Sequence, residues 1–326
     1  MSLKGLRFVI LISALFVSPA VIHAAQTMIP LRLLYPSFAG SWGTAWIAKE
    51  AGYFANEGLD VELIRVGGST RMVAALLGGS APIIQAGASA ALAATAAGSD
   101  VVIIGSTGTV SPFRLMARPE IKNPADLKGK RAGITTFGST SDQIVRMALK
   151  HFNLEPNKDV ALLSFGAQPE VFAALQSGAV QAGALSFPLY AKATQLGMRE
   201  LVNFGDLGIE DINGTVITTR SYIAQHRDIV LRFPRFHPRH ASLPERQGIQ
   251  QKSIGQIRQN PGRRYTRGTW QDYAPTLQKT PRPSLKAVQF LLDNQFPGKK
   301  LKAEQFVDLS LVEQLEKNGF FDSVTK

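Results

Sequence analysis

A chain of 326 residues can bury a large core, as one sizeable domain or as two lobes. Its composition, 45% apolar and 18% charged, excludes a disordered protein, and the absence of cysteine excludes a disulfide framework and thiol-based metal or redox chemistry. The net charge of +12 is local: Lys4 and Arg7 supply two charges, residues 232–267 supply a net eight, and the rest of the chain carries only +2.

The chain opens with a positive segment, MSLKGLR, an apolar run, FVILISALFV, and a small-residue end, SPAVIHAA. That order predicts a secretory signal peptide over residues 1–24, cut after Ala24. The apolar run is short for a bilayer span, which disfavours the rival reading of a membrane anchor. No cysteine follows it to accept a lipid, so the expected location is the periplasm. The histidines, His23, His151, His226, His237 and His240, show no metal-ligand spacing, and neither a metal nor another cofactor is expected.

The mature chain then alternates strand and helix patterns. Leu31–Tyr35 is a β-compatible apolar run, and TAWIAKEA has helical spacing and stops at Gly52. Residues 59–66 alternate as a strand does, GGST opens a helix through MVAALL, Pro82–Ala86 is a strand, ALAATAA a helix, and VVIIGS a buried strand. The pattern recurs with a strand in RAGITTFG, a helix in DQIVRMALKHF starting at Asp142, a strand in DVALLSFG, a helix in PEVFAALQSG and a strand at Gly183–Ser186. Aligning Gly79 with Gly178 superposes the two AAL triplets, so two similar βαβαβ halves are expected. The turn-rich segment TGTVSPFRLMARPEIKNPADLKGK is the expected crossover between them, and the run Thr215–Thr219 the candidate return. LKAVQFLLDNQ and LVEQLEKNGFF are the closing helices.

Ligands in α/β sheets sit beyond the C-terminal ends of strands. Small polar loops fall at those points: the segment from Ser37 to Trp42, Gly67-Gly68-Ser69-Thr70, Gly87-Ala88-Ser89, and Thr136 to Ser141. In the last, Gly138 allows close approach, Ser139, Thr140 and Ser141 bring hydroxyls, and a helix N-terminus favours an anion. The same residues can also serve as an ordinary helix cap. Arg65 and Arg71 are candidates for neutralising an anion, with plain solvation as the alternative. No GxSxG elbow, P-loop, GxGxxG or HExxH is present, and Asp142, Glu170, Asp206, Glu210 and Asp211 show no acid–base pairing, so no catalytic residue is assigned.

EAGYFANEGLDVELI, NPADLKGKRAGITTFGSTSDQ and FAALQSGAVQAGAL together resemble the periplasmic solute-binding proteins of ABC importers, in the nitrate, sulfonate and taurine group. That group shares its fold with binding proteins for thiamine pyrimidine precursors. The resemblance covers residues 31–233 and resumes near Gly268. It implies an α/β fold of type II with two lobes, each a mixed sheet flanked by helices, joined by two crossover hinges. The implied division is 25–110 for the first part of lobe 1, 111–214 for lobe 2, and 215–326 for the return crossover and the rest of lobe 1. It further implies a small anionic solute held by Ser41, Trp42, Gly68, Ser69, Gly87, Ala88, Ser139, Thr140, Ser141 and Ser186. A monomer partnered by a membrane permease and its ATPase follows, without catalysis. A pyrimidine-binding protein, or an enzyme on the same fold, is the alternative.

The basic stretch 232–267 interrupts this pattern. It holds nine Lys or Arg against the single acid Glu245, with Pro234, Pro238, Pro244 and Pro261 where helices are expected. Two compensating frameshifts that replaced about thirty residues would explain it; a genuine basic insertion is the alternative. Nucleic-acid binding is not expected, because the basicity is confined to this one segment.

Overall fold

The computed structural model describes residues 28–37, 42–50, 52–207, 210–233, 273 and 277–323. The expected leader 1–24, Ser41 and the basic stretch beyond Phe233 lie outside the described residues. Nearly continuous apolar runs form strands buried on both faces, and amphipathic segments between them form covering helices. In the first half these are β1 (Ile29–Tyr35), α1 (Gly43–Glu50), α2 (Tyr53–Asn56), β2 (Leu59–Arg65), α3 (Ser69–Leu77), β3 (Ile83–Ala86), α4 (Ala88–Ala96) and β4 (Val101–Gly105). The second half contributes β5 (Phe113–Ala117), β6 (Arg131–Ile134), α5 (Thr140–His151), β7 (Ala161–Ser164), α6 (Gln168–Ser177), β8 (Ala182–Ser186), α7 (Leu189–Gln195) and β9 (Arg199–Asn203). The chain then returns through β10 (Thr215–Thr219), α8 (Arg220–Arg232), α9 (Leu285–Gln295), α10 (Ser310–Lys317) and α11 (Phe320–Ser323).

Two five-stranded sheets result, ordered β2-β1-β3-β10-β4 and β7-β6-β8-β5-β9. The second order is the first with each strand replaced by its counterpart. In both, the fourth position holds an antiparallel strand that directly follows a crossing between lobes. The registers match as well: Thr215, first in β10, pairs with Ala86, last in β3, and Phe113, first in β5, pairs with Ser186, last in β8. This is a two-lobed α/β architecture with mixed sheets.

Two segments differ from the sequence expectation. Phe113–Ala117, assigned to the first crossover, is the inner strand β5, paired on both sides. Pro112 and Pro119 bracket it closely, so its five residues read as a linker. Thr215–Thr219, assigned to the return, lies within the first sheet, and the crossing itself is made by residues 211–214. Helix α5 also starts at Thr140, two residues before the expected Asp142, because Ser139 is its N-cap.

The core follows the strand alternation. In lobe 1, Leu34, Ile84 and Ile217 pack under α3, α4 and α9 with Met72, Leu92 and Val288. Their neighbours Leu33 and Ile83 face the other way, against Ala45, Phe54, Ile229 and Phe233. In lobe 2, Leu115 and Ile134 pack against Val145 and Leu149 of α5, and Met116 and Leu185 against Val171 and Leu175 of α6. Leu115→Ala is expected to lower stability by about 2–5 kcal/mol, whereas Leu77→Ala, at a half-exposed site on α3, should change it by about 0.5 kcal/mol or less. Urea denaturation of the two variants checks the placement of β5.

Candidate functional site

The C-terminal ends of the strands in the two sheets face each other across a cleft of about 560 Å³, part of it open to solvent. Its floor is formed by the two crossings, which bond to each other. Thr107 N–H donates to Asn213 O (2.9 Å), Asn213 N–H to Gly108 O (3.0 Å) and Asp211 N–H to Thr109 O (2.8 Å). Asn213 Nδ2 adds a bond to Val110 O (3.0 Å). Pro112 and Phe113 from one crossing and Asp211–Gly214 from the other therefore line the cleft directly.

Of the residues expected to contact a ligand, Trp42, Gly68, Ser69, Gly87, Ser139, Thr140 and Ser141 line the cleft together. Ala88 and Ser186 are buried but do not line it. Ser186 lies behind Gln168, donating from N–H (2.8 Å) and Oγ (3.0 Å) to Gln168 Oε1. With that oxygen occupied, the Gln168 amide nitrogen is the donor left for the cleft. Ser41 lies outside the described residues, and Arg65 and Arg71 are exposed and off the lining. Ser37, at the start of a loop expected at a strand end, lines the cleft too, whereas Pro36, Thr135, Ala167, Gln168 and the crossing residues were not anticipated. Their signal was positional, since each follows a strand or precedes a helix of a repeated unit.

The hydroxyl cluster is less available than its composition suggested. Thr135, Ser139 and Ser141 form a triangle of oxygens with separations of 3.0, 2.8 and 3.0 Å. Three hydroxyl hydrogens serve three pairs, so a ligand must displace one of these bonds to gain a donor. Ser139 also caps α5 by accepting from Asp142 N–H (3.4 Å), and the Asp142 carboxylate takes Gly138 N–H (2.8 Å) and Arg146 Nε (2.7 Å). Thr140 differs from the other three: its Oγ1 is buried and has no hydrogen-bond partner. It sits on the first turn of α5, where backbone N–H groups lack intrahelical acceptors. Across the cleft, Ser69 Oγ accepts from Gly87 N–H (3.1 Å) and keeps its own hydrogen to donate.

The lobes touch above this cavity. Thr70 Oγ1 donates to Phe137 O (3.0 Å), Ser89 Oγ bonds Gln143 Oε1, and Gln143 Nε2 reaches Leu291 O (3.2 Å). Glycine makes the approach possible. A methyl on Gly87 would stand 2.1 Å from Thr140 Oγ1, and one on Gly68 2.7 Å from Thr136 Cγ2.

Among the eighteen described residues that line the cleft, the one charged side chain is Asp211. It is 9% exposed and accepts from Ile212 N–H (2.8 Å). Burial raises its carboxyl to about 6, against smaller lowering contributions from Ile212 N–H and Ser111. No Lys, Arg or His among the described residues forms an ion pair with it. Its charge in turn helps to raise the buried phenol of Tyr273, after desolvation. Among the described residues no group of three or more His, Asp or Glu is placed to hold a metal ion, and no helix is long and apolar enough to cross a membrane.

The sequence model of a family described as NMT1/THI5 like matches residues 42–239, more than half of the chain. A binding protein of Brucella abortus (strain 2308) is 30% identical over 208 residues, 63% of this chain and 62% of that protein. The chain thus spans just over three fifths of the relative's length. Among solved structures, the alkanesulfonate-binding protein SsuA from Xanthomonas axonopodis pv. citri, bound to MOPS, superposes with a TM-score of 0.68 at 20% identity, over 86% of this chain and 98% of that one. The periplasmic nitrate-binding protein NrtA from Synechocystis PCC 6803 gives 0.69 at 12% identity, over 88% and 86%. The desulfurization enzyme DSZB gives 0.59 at 16% identity, over 89% and 99%. At these identities the likeness is one of fold.

Asp211 gives the site a signature that needs no ligand. The folded state holds its proton more tightly than the unfolded chain does. The stability that protonation contributes is therefore full below about pH 4 and is lost as the pH rises through about 6. Asp211→Asn removes this dependence. The variant should gain stability relative to the parent across that window, by up to ~3 kcal/mol. Paired urea melts at several pH values between 4 and 8 measure the difference.

Proposed function

The chain belongs to the family described as NMT1/THI5 like, and we propose that it is the extracytoplasmic solute-binding component of an ABC importer. In this reading a small solute is captured between the lobes and delivered by a monomeric, periplasmic protein to a membrane permease and its ATPase. The observation that carries it is the cleft itself: two sheets present strand ends and helix N-termini to each other across a paired hinge, and glycines let the lobes close. Closure by hinge motion buries a solute and brings surfaces of both lobes together into one composite face. The solved structures of this fold include proteins named as sulfonate-binding and nitrate-binding, which supports the capture of a small solute.

Solute specificity would come from few groups. Thr140 Oγ1, Ser69 Oγ and the Gln168 amide are donors, while Trp42 and Phe113 supply apolar wall. A second reading, an enzyme on the same fold, draws on the raised carboxyl of Asp211, since perturbed acids cluster at catalytic sites. Recovery of the bound solute unchanged after long incubation separates the two.

Ligand that binds only the folded state stabilises it, so the melting temperature should rise with the correct solute in a panel of sulfonates, nitrate, carboxylates, amino acids and pyrimidines. No shift across the panel would remove the transport reading. For the solute so found, Gly87→Ala should weaken binding at least tenfold, about 1.4 kcal/mol, because its methyl would stand 2.1 Å from Thr140 Oγ1 across the cleft. Gly87 has φ −72°, which alanine accepts, so the loss would report closure and not backbone strain.

A further inference from the structure

We propose that the solute carries a positively charged or protonatable nitrogen seated on the Asp211 carboxylate, and that Asp211 is the residue that sets specificity. The inference rests on the solute-binding reading above and narrows it. The sequence pointed to an anion, on the strength of the hydroxyls and helix N-terminus at residues 138–142. The geometry points elsewhere. Asp142 already occupies that N-terminus with a carboxylate held by Gly138 N–H and Arg146. Of the neighbouring hydroxyls, those of Thr135, Ser139 and Ser141 satisfy one another. No lysine, arginine or histidine is among the described residues that line the cleft.

Asp211 also lines a second cavity of about 400 Å³ between the lobes, which shares Thr140 with the first. Its charged lining residues are again acids, Asp211 and Glu210. Asp211 therefore stands at the junction of two spaces with a negative charge and no ion-pair partner among the described residues. A buried charge without a partner is unfavourable, and a ligand that supplies the opposite charge relieves it. A simple anion such as nitrate would instead meet a carboxylate with no cation among the described lining residues to offset it. A solute whose nitrogen meets Asp211 and whose acceptor atom meets Thr140 Oγ1 brings the opposite charge to the first and a partner to the second, a buried hydroxyl that has none.

Matched pairs test this on the full chain by titration calorimetry at pH 7.5: 2-aminoethanesulfonate against ethanesulfonate, 3-aminopropanoate against propanoate, and 4-aminopyrimidine against pyrimidine. In at least one pair the nitrogen-bearing member should bind ten- to a hundredfold tighter. Asp211→Asn should abolish that preference while leaving or improving affinity for the nitrogen-free member. Equal or tighter binding of ethanesulfonate, propanoate or nitrate by the parent chain would overturn the inference and leave the transport reading standing. So would an Asp211→Asn variant that weakens both members of a pair alike. A chain that binds none of these probes, nor any member of the broader melting panel, overturns both readings.

Discussion

The antiparallel pairing of residues 106–109 with 211–213 fixes how the two lobes can relate to each other. Two crossings bonded through Thr107, Gly108 and Asn213 form one strip of backbone, so the lobes are joined by a single paired connection instead of by two separate tethers. The same strip is the floor of the cleft. Pro112, Phe113 and Asp211 through Gly214 line it because the hinge has no other face to present. In the proposed solute-binding role, a solute resting on the floor would therefore touch the segments that join the lobes.

Rigidity and need are divided unevenly within the site. The triangle of Thr135, Ser139 and Ser141 holds the start of α5 in place and has little left to offer a solute. Thr140 and Asp211 are left incomplete by the protein's own groups. Such a division favours a solute that completes what the fold leaves open over one that must compete with internal bonds. It also explains why a carboxylate destabilised by burial can persist at the hinge, where removing it would strengthen the unliganded fold.

Much of the fold was legible because it is periodic. Apolar runs such as VVIIG and glycine-ended helices such as QPEVFAALQS carry their own boundaries, and the doubled βαβαβ pattern gave two similar halves. Strands β5 and β9 escaped because each is five residues long and partly polar, and β5 is closely bracketed by prolines; their pairing is decided by distant neighbours. At the site, strand-tip position located Trp42, Gly68, Ser69, Gly87 and residues 139–141, since topology puts such loops together. Position could not say which hydroxyls would be consumed locally, because that depends on distances of a few tenths of an ångström. Asp211 was passed over for lack of a paired acid along the chain. What sets it apart is its place in three dimensions, in the lining of two cavities and without an ion-pair partner among the described residues.

The two lobes differ in how the chain visits them. Every strand of the second sheet lies between Phe113 and Asn203, whereas the first sheet waits for β10 to enter between β3 and β4. During synthesis from the N-terminus, β3 and β4 therefore leave the ribosome with facing edges unpaired until Thr219 has been added. The second lobe, made in the interval, can complete its own sheet first. For more than a hundred residues of elongation the earlier half is the unfinished one, with two open edges of the kind that pair with the wrong chain. The later half behaves as a cassette whose ends are brought together by the hinge, and its folding delivers the strand that closes the half made before it.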